Sequence, residues 1–133
     1  MNILIADDNP ISCKLLRAVL ESEDQNVMVA TDGYQVLEIL EKHAVDAIIC
    51  DLLVPNLDGY RLCREIRQDG RWPGLPFICY TAIYGSLDDK TLAFDLGANA
   101  YLRKPSSRAI ILSTLYALSD DTRALQQPPC RRY

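Results

Sequence analysis

The chain has 133 residues, of which 49% are hydrophobic and 24% charged, as expected for one globular domain with its own hydrophobic core. The net charge is -4 and basic residues cluster only at Arg131 and Arg132, which argues against a direct nucleic-acid partner. No apolar run reaches membrane-spanning length and no cleavable leader precedes the first strand, so we expect a cytoplasmic protein without membrane insertion.

The first part of the chain alternates apolar strands with amphipathic helices. Residues 2–6 form a strand, and Asn9 caps a helix whose leucines and valines recur at helical spacing. Residues 27–30 form a second strand, and the helix after it runs from a cap at Asp32 to His43.

The third strand, within residues 47–55, is a short β-branched run that ends by presenting Asp51. An unpaired carboxylate beside an apolar wall loses hydration, so a bare Asp at this place indicates a function. Taken alone, Asp51 is explained equally well as a helix or turn cap. Asp58 and Gly59 then open a helix that ends at Gly70.

The second part of the chain repeats the alternation. Phe77–Thr81 is predicted to be the fourth strand. Ser86 and Asp89 form a capping-box pattern ahead of a helix that stops at Gly97, and residues 100–102 form a short fifth strand.

The last predicted helix runs from Arg108 to about Leu118, which places the domain at residues 1–118. From Ser119 the composition turns polar, and residues 119–133 are predicted to be a linker or disordered tail. The apolar residues of this helix wrap more than one stripe: Ile110, Ile111, Leu112, Leu115, Tyr116 and Leu118. The pattern fits either a deeply buried helix or one that leaves apolar surface uncovered.

The five cysteines are odd in number, contain no C-x-x-C pair and are accompanied by a single histidine. They therefore suggest neither a disulfide framework nor a zinc site. Four of them lie inside predicted elements and are expected to be buried thiols in a reducing compartment: Cys13, Cys50, Cys63 and Cys79.

Five strands separated by five helices predict an α/β fold, a doubly wound parallel sheet with helices on both faces. Ligands of such sheets bind at the carboxyl ends of the strands. Unusual polar residues follow four of the five strands at these ends: Asp7 and Asp8, Asp51, Thr81, and Lys104. The second strand contributes nothing comparable.

Three carboxylates at one sheet edge repel each other by about 4 kcal/mol per pair at contact distance, for an effective dielectric of about 20. They require a cation, and all-oxygen ligands suit Mg²⁺ or Mn²⁺, which keep waters and accept phosphate oxygens. Lys104 and Thr81 suit an arriving dianionic group, Lys104 by its charge and Thr81 by hydrogen bonding. Asp51 is then the nucleophile that forms an acyl phosphate.

These residues resemble the receiver domain of two-component response regulators over about residues 2–118. The resemblance rests on segments in a fixed order: Ile3-Leu4-Ile5-Ala6-Asp7-Asp8, the Asp51 segment with Pro55 and Asp58-Gly59, Tyr80-Thr81-Ala82, Gly97-Ala98, and Tyr101-Leu102-Arg103-Lys104-Pro105. It implies a flavodoxin-like sheet with strand order 2-1-3-4-5. The sequence departs modestly from the family pattern at two places. Val54 stands where Met is common, and the stretch 83–86 after Thr81 looks slightly long.

The resemblance also implies roles for the site residues. Asp51 accepts a phosphoryl group from a histidine kinase or phosphotransfer protein, so the chain is a phosphoacceptor rather than an enzyme. The implied Mg²⁺ contacts are Asp8, Asp51 and the Leu53 carbonyl, with Asp7 acting through water. Lys104 pairs with the phosphoryl group, while Thr81 and Tyr101 switch together.

Two further expectations concern the phosphorylated state. The face formed by the fourth helix, the fifth strand and the last helix is expected to bind a partner, such as a second copy, more tightly after phosphorylation. Leu53 and Ile83 lie two positions after Asp51 and Thr81, where a hydrolytic water would be held. Being apolar, they are expected to exclude that water, although packing against neighbouring loops explains them nearly as well.

Other functions fit the sequence less well than a phosphorylatable receiver. A degenerate receiver that only binds is disfavoured because no site residue is missing. A phosphatase of the haloacid-dehalogenase type needs a second acid where Leu53 stands, and a nucleotide-binding protein needs a Gly-rich loop after the first strand. Both a stand-alone regulator and the N-terminal receiver module of a larger hybrid kinase or multidomain regulator fit the sequence.

Overall fold

The computed structural model describes residues 1–82 and 87–125. Strands and helices alternate along these residues as the sequence predicts. The elements are β1 Asn2–Ala6, α1 Pro10–Glu21, β2 Asn26–Ala30, α2 Gly33–Lys42, β3 Ala47–Cys50, α3 Gly59–Asp69, β4 Phe77–Thr81, α4 Leu87–Asp95, β5 Ala100–Arg103 and α5 Arg108–Leu125.

The strands form one parallel sheet in the order β2-β1-β3-β4-β5, which confirms the predicted flavodoxin-like topology. Because β3 is the central strand, the residue that follows it lies between the ends of β1 and β4. In register, Ala6 of β1 pairs with Cys50 of β3, and Cys50 pairs with Cys79 of β4. The topology therefore places Asp51 at the middle of the carboxyl edge.

Two hydrophobic layers cover the two faces of the sheet. Helices α2, α3 and α4 pack on the face that carries Leu4 and Ala6, while α1 and α5 pack on the face that carries Ile3 and Ile5. Successive side chains of a strand point to opposite faces, so a sheet covered on both sides needs apolar residues at every position. This explains why β1 and β3 are continuous apolar runs rather than alternating patterns.

Side-chain caps begin three of the helices as predicted. Each cap oxygen accepts a hydrogen bond from a backbone N–H group in the first turn: Asn9 from Ile11 and Ser12, Asp32 from Gln35, and Asp58 from Arg61. Gly70 ends α3 in the left-handed conformation, at φ 82°. Ser86, the cap of the capping box predicted with Asp89, lies outside the described part of the chain.

The last helix differs from the prediction at its C-terminal end. It continues to Leu125 rather than ending at about Leu118, so residues 119–125 are helical. The polar composition after Leu118 does not stop a helix, because this stretch contains neither Gly nor Pro until Pro128. The rest of the predicted tail, residues 126–133, lies outside the described residues.

The same helix leaves apolar surface uncovered. Ile111, Leu112 and Leu115 are buried against the sheet, whereas Ile110 and Tyr116 are 49% and 39% exposed. This outcome confirms the amphipathic alternative and excludes the deeply buried one. Among the described residues, no helix is long and apolar enough to cross a membrane.

Three of the four cysteines predicted to be buried are buried: Cys50, Cys63 and Cys79. Burial raises the pKa of the Cys63 thiol to about 11 and that of the Cys79 thiol to about 12, so both stay protonated at neutral pH. The prediction was wrong for Cys13, which lies near the start of α1 and is partly exposed.

Candidate functional site at the carboxyl edge of the sheet

The carboxyl edge of the sheet brings together four of the residues that the sequence singles out. The Lys104 ammonium lies between two carboxylates, with Nζ at 2.6 Å from Asp7 Oδ2 and 2.8 Å from Asp51 Oδ2. Thr81 Oγ1 lies 3.2 Å from the other oxygen of Asp51. Asp7, Asp51, Thr81 and Lys104 come from the ends of four strands and form one hydrogen-bonded group, which we call the carboxylate cluster.

Asp51 has a different kind of donor on each carboxylate oxygen. Oδ1 accepts hydrogen bonds from the Leu53 backbone N–H at 2.9 Å and from the Thr81 hydroxyl, while Oδ2 accepts from Lys104. The Asp51 side chain is 11% exposed, so it is held in place yet remains accessible from solvent. A carboxylate that is both positioned and reachable is what a nucleophile at this edge requires.

Asp7 is the more deeply buried of the two carboxylates in the cluster, at 2% exposure. Its Oδ1 accepts a hydrogen bond from the Asn9 backbone N–H, and its Oδ2 accepts from Lys104. A buried carboxylate without a partner destabilises the fold by roughly several kcal/mol, so Asp7 has to keep its ion pair with Lys104. Asp7 therefore holds Lys104 beside Asp51.

Lys104 follows β5, and its backbone N–H donates to the Thr81 carbonyl of β4. The peptide bond to Pro105 is cis, and the ammonium lies 5.7 Å from the centre of the Tyr80 ring. Burial acts to lower the pKa of Lys104, but its hydrogen bonds with Asp51 and Asp7 outweigh that effect and raise the pKa above its ordinary value.

This raised pKa predicts a stability difference at alkaline pH. A group whose pKa is higher in the folded state stabilises that state fully below its unfolded pKa, about 10.4 for Lys, and loses this contribution as pH rises through the folded pKa. We expect the free energy of unfolding to decline above about pH 10.4 more steeply in the wild type than in Lys104→Met. Urea unfolding of both proteins at a series of pH values, without divalent metal, measures the difference. Parallel declines would contradict it.

The three predicted carboxylates do not gather into one metal-binding group. Asp8 is exposed, and among the described residues no three His, Cys, Asp or Glu side chains are close enough together to hold a metal ion. Lys104 lies between Asp7 and Asp51, where sequence reasoning expected a cation to be needed. The carboxylate oxygens of Asp7 and Asp51 suit a hard cation that keeps several of its waters.

Tyr101 and Thr81 lie on adjacent strands but two register positions apart. Tyr101 pairs in register with Cys79, and Thr81 pairs with Arg103. Tyr101 is partly buried and packs against the hydrophobic layer under α2, α3 and α4, while Thr81 is fully buried. The coupled switch of these two residues remains a prediction.

The residues predicted to shield the site differ in what the structure describes. Leu53 is 65% exposed, beside the backbone N–H that binds Asp51. Its exposure argues against the alternative that its side chain packs into a neighbouring loop. Ile83 lies outside the described residues.

Sequence reasoning missed a contribution from the end of β2. The loop after this strand contacts the loop after β3, with Asn56 Nδ2 donating to Asp32 Oδ2 at 3.1 Å and the Gly33 N–H directed at the Pro55 carbonyl at 3.4 Å. Asp32 was assigned only as a helix cap. The signal that could have found this contact is the glycine directly after that cap, because glycine permits close backbone approach.

Comparisons with known proteins agree with this geometry. The family model of the response regulator receiver domain matches residues 3–116. The DNA-binding dual master transcriptional regulator RpaA of Synechocystis is 34% identical over 125 residues, which are 94% of this chain and 52% of RpaA. The sensor histidine kinase RcsC of Salmonella typhimurium is 35% identical over 123 residues, 92% of this chain and 13% of RcsC. The chain thus spans about half of one relative and a small part of the other.

A solved structure shows the same fold with a metal. It is the receiver domain of a sensor histidine kinase from Pseudomonas aeruginosa, with a magnesium ion coordinated in its active site cleft. It aligns with a TM-score of 0.81 and 34% identity, over 90% of this chain and 97% of that one.

Proposed function

Because the chain belongs to the response regulator receiver domain family of two-component signalling, we propose that Asp51 accepts a phosphoryl group from a phosphohistidine. The observation that carries the proposal is the carboxylate cluster itself. A reachable carboxylate lies between an ammonium and a hydroxyl, as acyl phosphate formation requires. The donor is a histidine kinase or a phosphotransfer protein.

In the transfer, an Asp51 oxygen attacks the phosphorus of the phosphohistidine. A P–O bond forms, the P–N bond breaks, and the imidazole nitrogen that leaves takes up a proton from solvent. Lys104 neutralises the phosphoryl oxygens, and the Thr81 hydroxyl donates a hydrogen bond to them. No general base is needed, because a carboxylate has no proton to lose before it attacks and Asp51 is hydrogen-bonded in place.

The oxygen donors of the site suit Mg²⁺, and Mn²⁺ has the same preference for oxygen. Asp51 and the Leu53 carbonyl would hold the metal together with Asp8, while Asp7 would act through a bound water. When bound, the metal would add positive charge beside the phosphoryl oxygens. The magnesium in the cleft of the related kinase receiver supports this assignment.

Acetyl phosphate labelling tests the proposed function directly. We expect the label to saturate at one phosphoryl group per chain in the presence of Mg²⁺, since Asp51 is consumed as it reacts. A phosphatase with an Asp nucleophile would instead release phosphate from generic esters continuously. Continuous turnover without a saturating label would contradict the acceptor function.

The partner that delivers the phosphoryl group is expected to approach along α1. Ile11 and Leu15, one helical turn apart near the start of this helix, are 72% and 65% exposed. Leu53 adds a third exposed apolar side chain at the same edge of the sheet. Apolar side chains around an exposed polar centre are typical of a protein docking surface.

The phosphorylated form is expected to self-associate through the face of α4, β5 and α5. Four exposed apolar side chains lie on the two helices of this face: Leu92, Phe94, Ile110 and Tyr116. Switching of Thr81 and Tyr101 would couple Asp51 to it, since both belong to strands that support the face.

Light scattering of the protein with and without acetyl phosphate and Mg²⁺ measures this association. We expect the average mass to rise on phosphorylation in the wild type and to stay monomeric in Ile110→Lys. Leu15→Lys introduces the same charge at an exposed position of α1, which is not part of the face of α4, β5 and α5, and serves as the control. A wild type that stays monomeric when phosphorylated would contradict the prediction.

Loss of the phosphoryl group is expected to be slow. Leu53 has no group that could hydrogen-bond a hydrolytic water, and its side chain is exposed beside Asp51. We expect Leu53→Asn to lose the label about tenfold faster than the wild type, since an amide can orient that water. Leu53→Met, which stays apolar, is the matched control, and Ile83→Glu tests the second predicted position. Equal decay rates in all four proteins would show that these side chains do not set the lifetime.

A further inference from the structure

The loop between β3 and α3 contains a strained turn three residues after Leu53. Asn56 has φ 69°, a conformation that L residues rarely adopt, and the Leu57 N–H donates to the Pro55 carbonyl at 2.8 Å. A hydrogen bond between residues two apart, with positive φ at the residue between them, defines a γ-turn of the rarer hand. Such a turn persists only where its surroundings hold it.

The loop between β2 and α2 supplies those surroundings. The Asn56 amide donates to Asp32 Oδ2 at 3.1 Å, while Asp32 Oδ1 caps α2 through the Gln35 N–H at 2.8 Å. One carboxylate therefore joins the turn to the start of a helix. This hydrogen bond between Asp32 and Asn56 is called the latch below.

Backbone packing fixes the same two loops against each other. A methyl group added to Gly33 would overlap the Leu57 carbonyl and would lie 2.6 Å from the Leu57 Cβ. Leu57 is itself completely buried. The close approach at Gly33 and the latch thus hold the turn from two sides.

The held turn constrains the backbone that binds Asp51. Only Val54 and Pro55 separate Asn56 from Leu53; the Val54 side chain is buried and Pro55 has a fixed φ. The Leu53 N–H donates to Asp51 Oδ1, so a shift of the turn moves a donor away from the proposed nucleophile. We infer that Asp32 and Asn56 are positioning residues for phosphoryl acceptance at Asp51, acting through the Leu53 backbone.

The latch acts on phosphorylation only if Asp51 is the acceptor, so its effect on rate rests on the function proposed above. The test is a pair of single substitutions and their exchange. Asp32→Asn keeps a good helix cap, and the Asn56 amide can rotate to present its oxygen to the new amide donor, so this variant keeps a neutral hydrogen bond between the two loops. Asn56→Asp places two carboxylates opposite each other. The double variant Asp32→Asn/Asn56→Asp restores one donor and one acceptor with the direction of the bond reversed.

Two measurements are made on the four proteins. The first is the NMR amide resonance of Leu53 in the metal-free, unphosphorylated protein, and the second is the initial labelling rate with acetyl phosphate and Mg²⁺. We expect Asn56→Asp to shift the resonance and to label about tenfold more slowly, as misplacement of a reacting group does, and Asp32→Asn and the exchanged pair to stay close to the wild-type values. Asp58→Asn, the same change at the cap of α3, is expected to leave both values as in the wild type.

The outcomes separate the latch from the proposed function. Asn56→Asp with a wild-type Leu53 resonance and labelling rate would overturn the inference, as would an exchanged pair that recovers neither. A wild type that takes no label would refute the acceptor function, while the Leu53 resonance of the variants would still decide whether the latch positions this backbone.

Discussion

We expect Asp51→Asn to take up no label from acetyl phosphate and Mg²⁺, whereas the wild type should saturate at one phosphoryl group. An amide oxygen is too weak a nucleophile to form an acyl phosphate, and the other carboxylate of the cluster is not placed to replace it. Asp7 is 2% exposed and already bound on both oxygens, by Asn9 and Lys104. Phosphate incorporation after gel filtration, read by intact-mass spectrometry, measures the effect.

The matched control for this variant is Asp58→Asn. Asp58 lies on the same loop as Asp51 and caps α3, a role that Asn fulfils equally well. Thermal denaturation should show both variants folded, since an amide at position 51 keeps an oxygen for the Leu53 N–H and the Thr81 hydroxyl. Labelling of Asp51→Asn at the wild-type level would contradict the proposed function.

The fold was readable from the sequence because local signals and long-range packing agree. The strands β1 and β3 are continuous apolar runs, which only a sheet covered on both faces explains, and side-chain caps mark the helix starts at Asn9, Asp32 and Asp58. The end of α5 was misplaced because polarity was taken as a stop signal. Helices end at residues that break hydrogen bonds or favour positive φ, and a solvated helix end can be polar.

The members of the carboxylate cluster could be predicted from the sequence because of the sheet topology. Strand order and parallel direction bring all carboxyl ends to one edge, so residues as far apart in sequence as Asp7 and Lys104 become neighbours. The detailed pairing was not readable. The sequence led us to expect three carboxylates around a metal cation. In the structure, Asp7 and Asp51 both bind the Lys104 ammonium, and Asp8 is exposed.

The latch between Asp32 and Asn56 shows what pattern reasoning misses. Asp32 satisfies a local rule as a helix cap, and that rule uses one of its two oxygens. The second oxygen is satisfied by a residue 24 positions away, which no local period or motif encodes. Contacts between two loops depend on the exact backbone path of both, so a structure is needed to find them.

Lys104→Met should slow phosphoryl transfer to Asp51 by about 10²-fold, the usual effect of removing one donor that stabilises charge in a transition state. The methionine side chain keeps an unbranched apolar stem in place of that of Lys104 but cannot neutralise the incoming phosphoryl oxygens. The rate constant is measured by quenching reactions with acetyl phosphate at a series of times. Mg²⁺ is kept at a saturating concentration, so that a change in metal affinity does not affect the measured rate.

The control for this loss is Arg103→Met, which removes the same unit of charge one residue earlier. Arg103 is exposed at the end of β5, so general electrostatic attraction of the donor changes equally in both variants. We expect Arg103→Met to label at close to the wild-type rate. If the two variants were slowed alike, Lys104 would act through the overall charge of the domain rather than through its contacts with Asp7 and Asp51. A difference confined to Lys104→Met ties the rate to the ammonium held between those carboxylates.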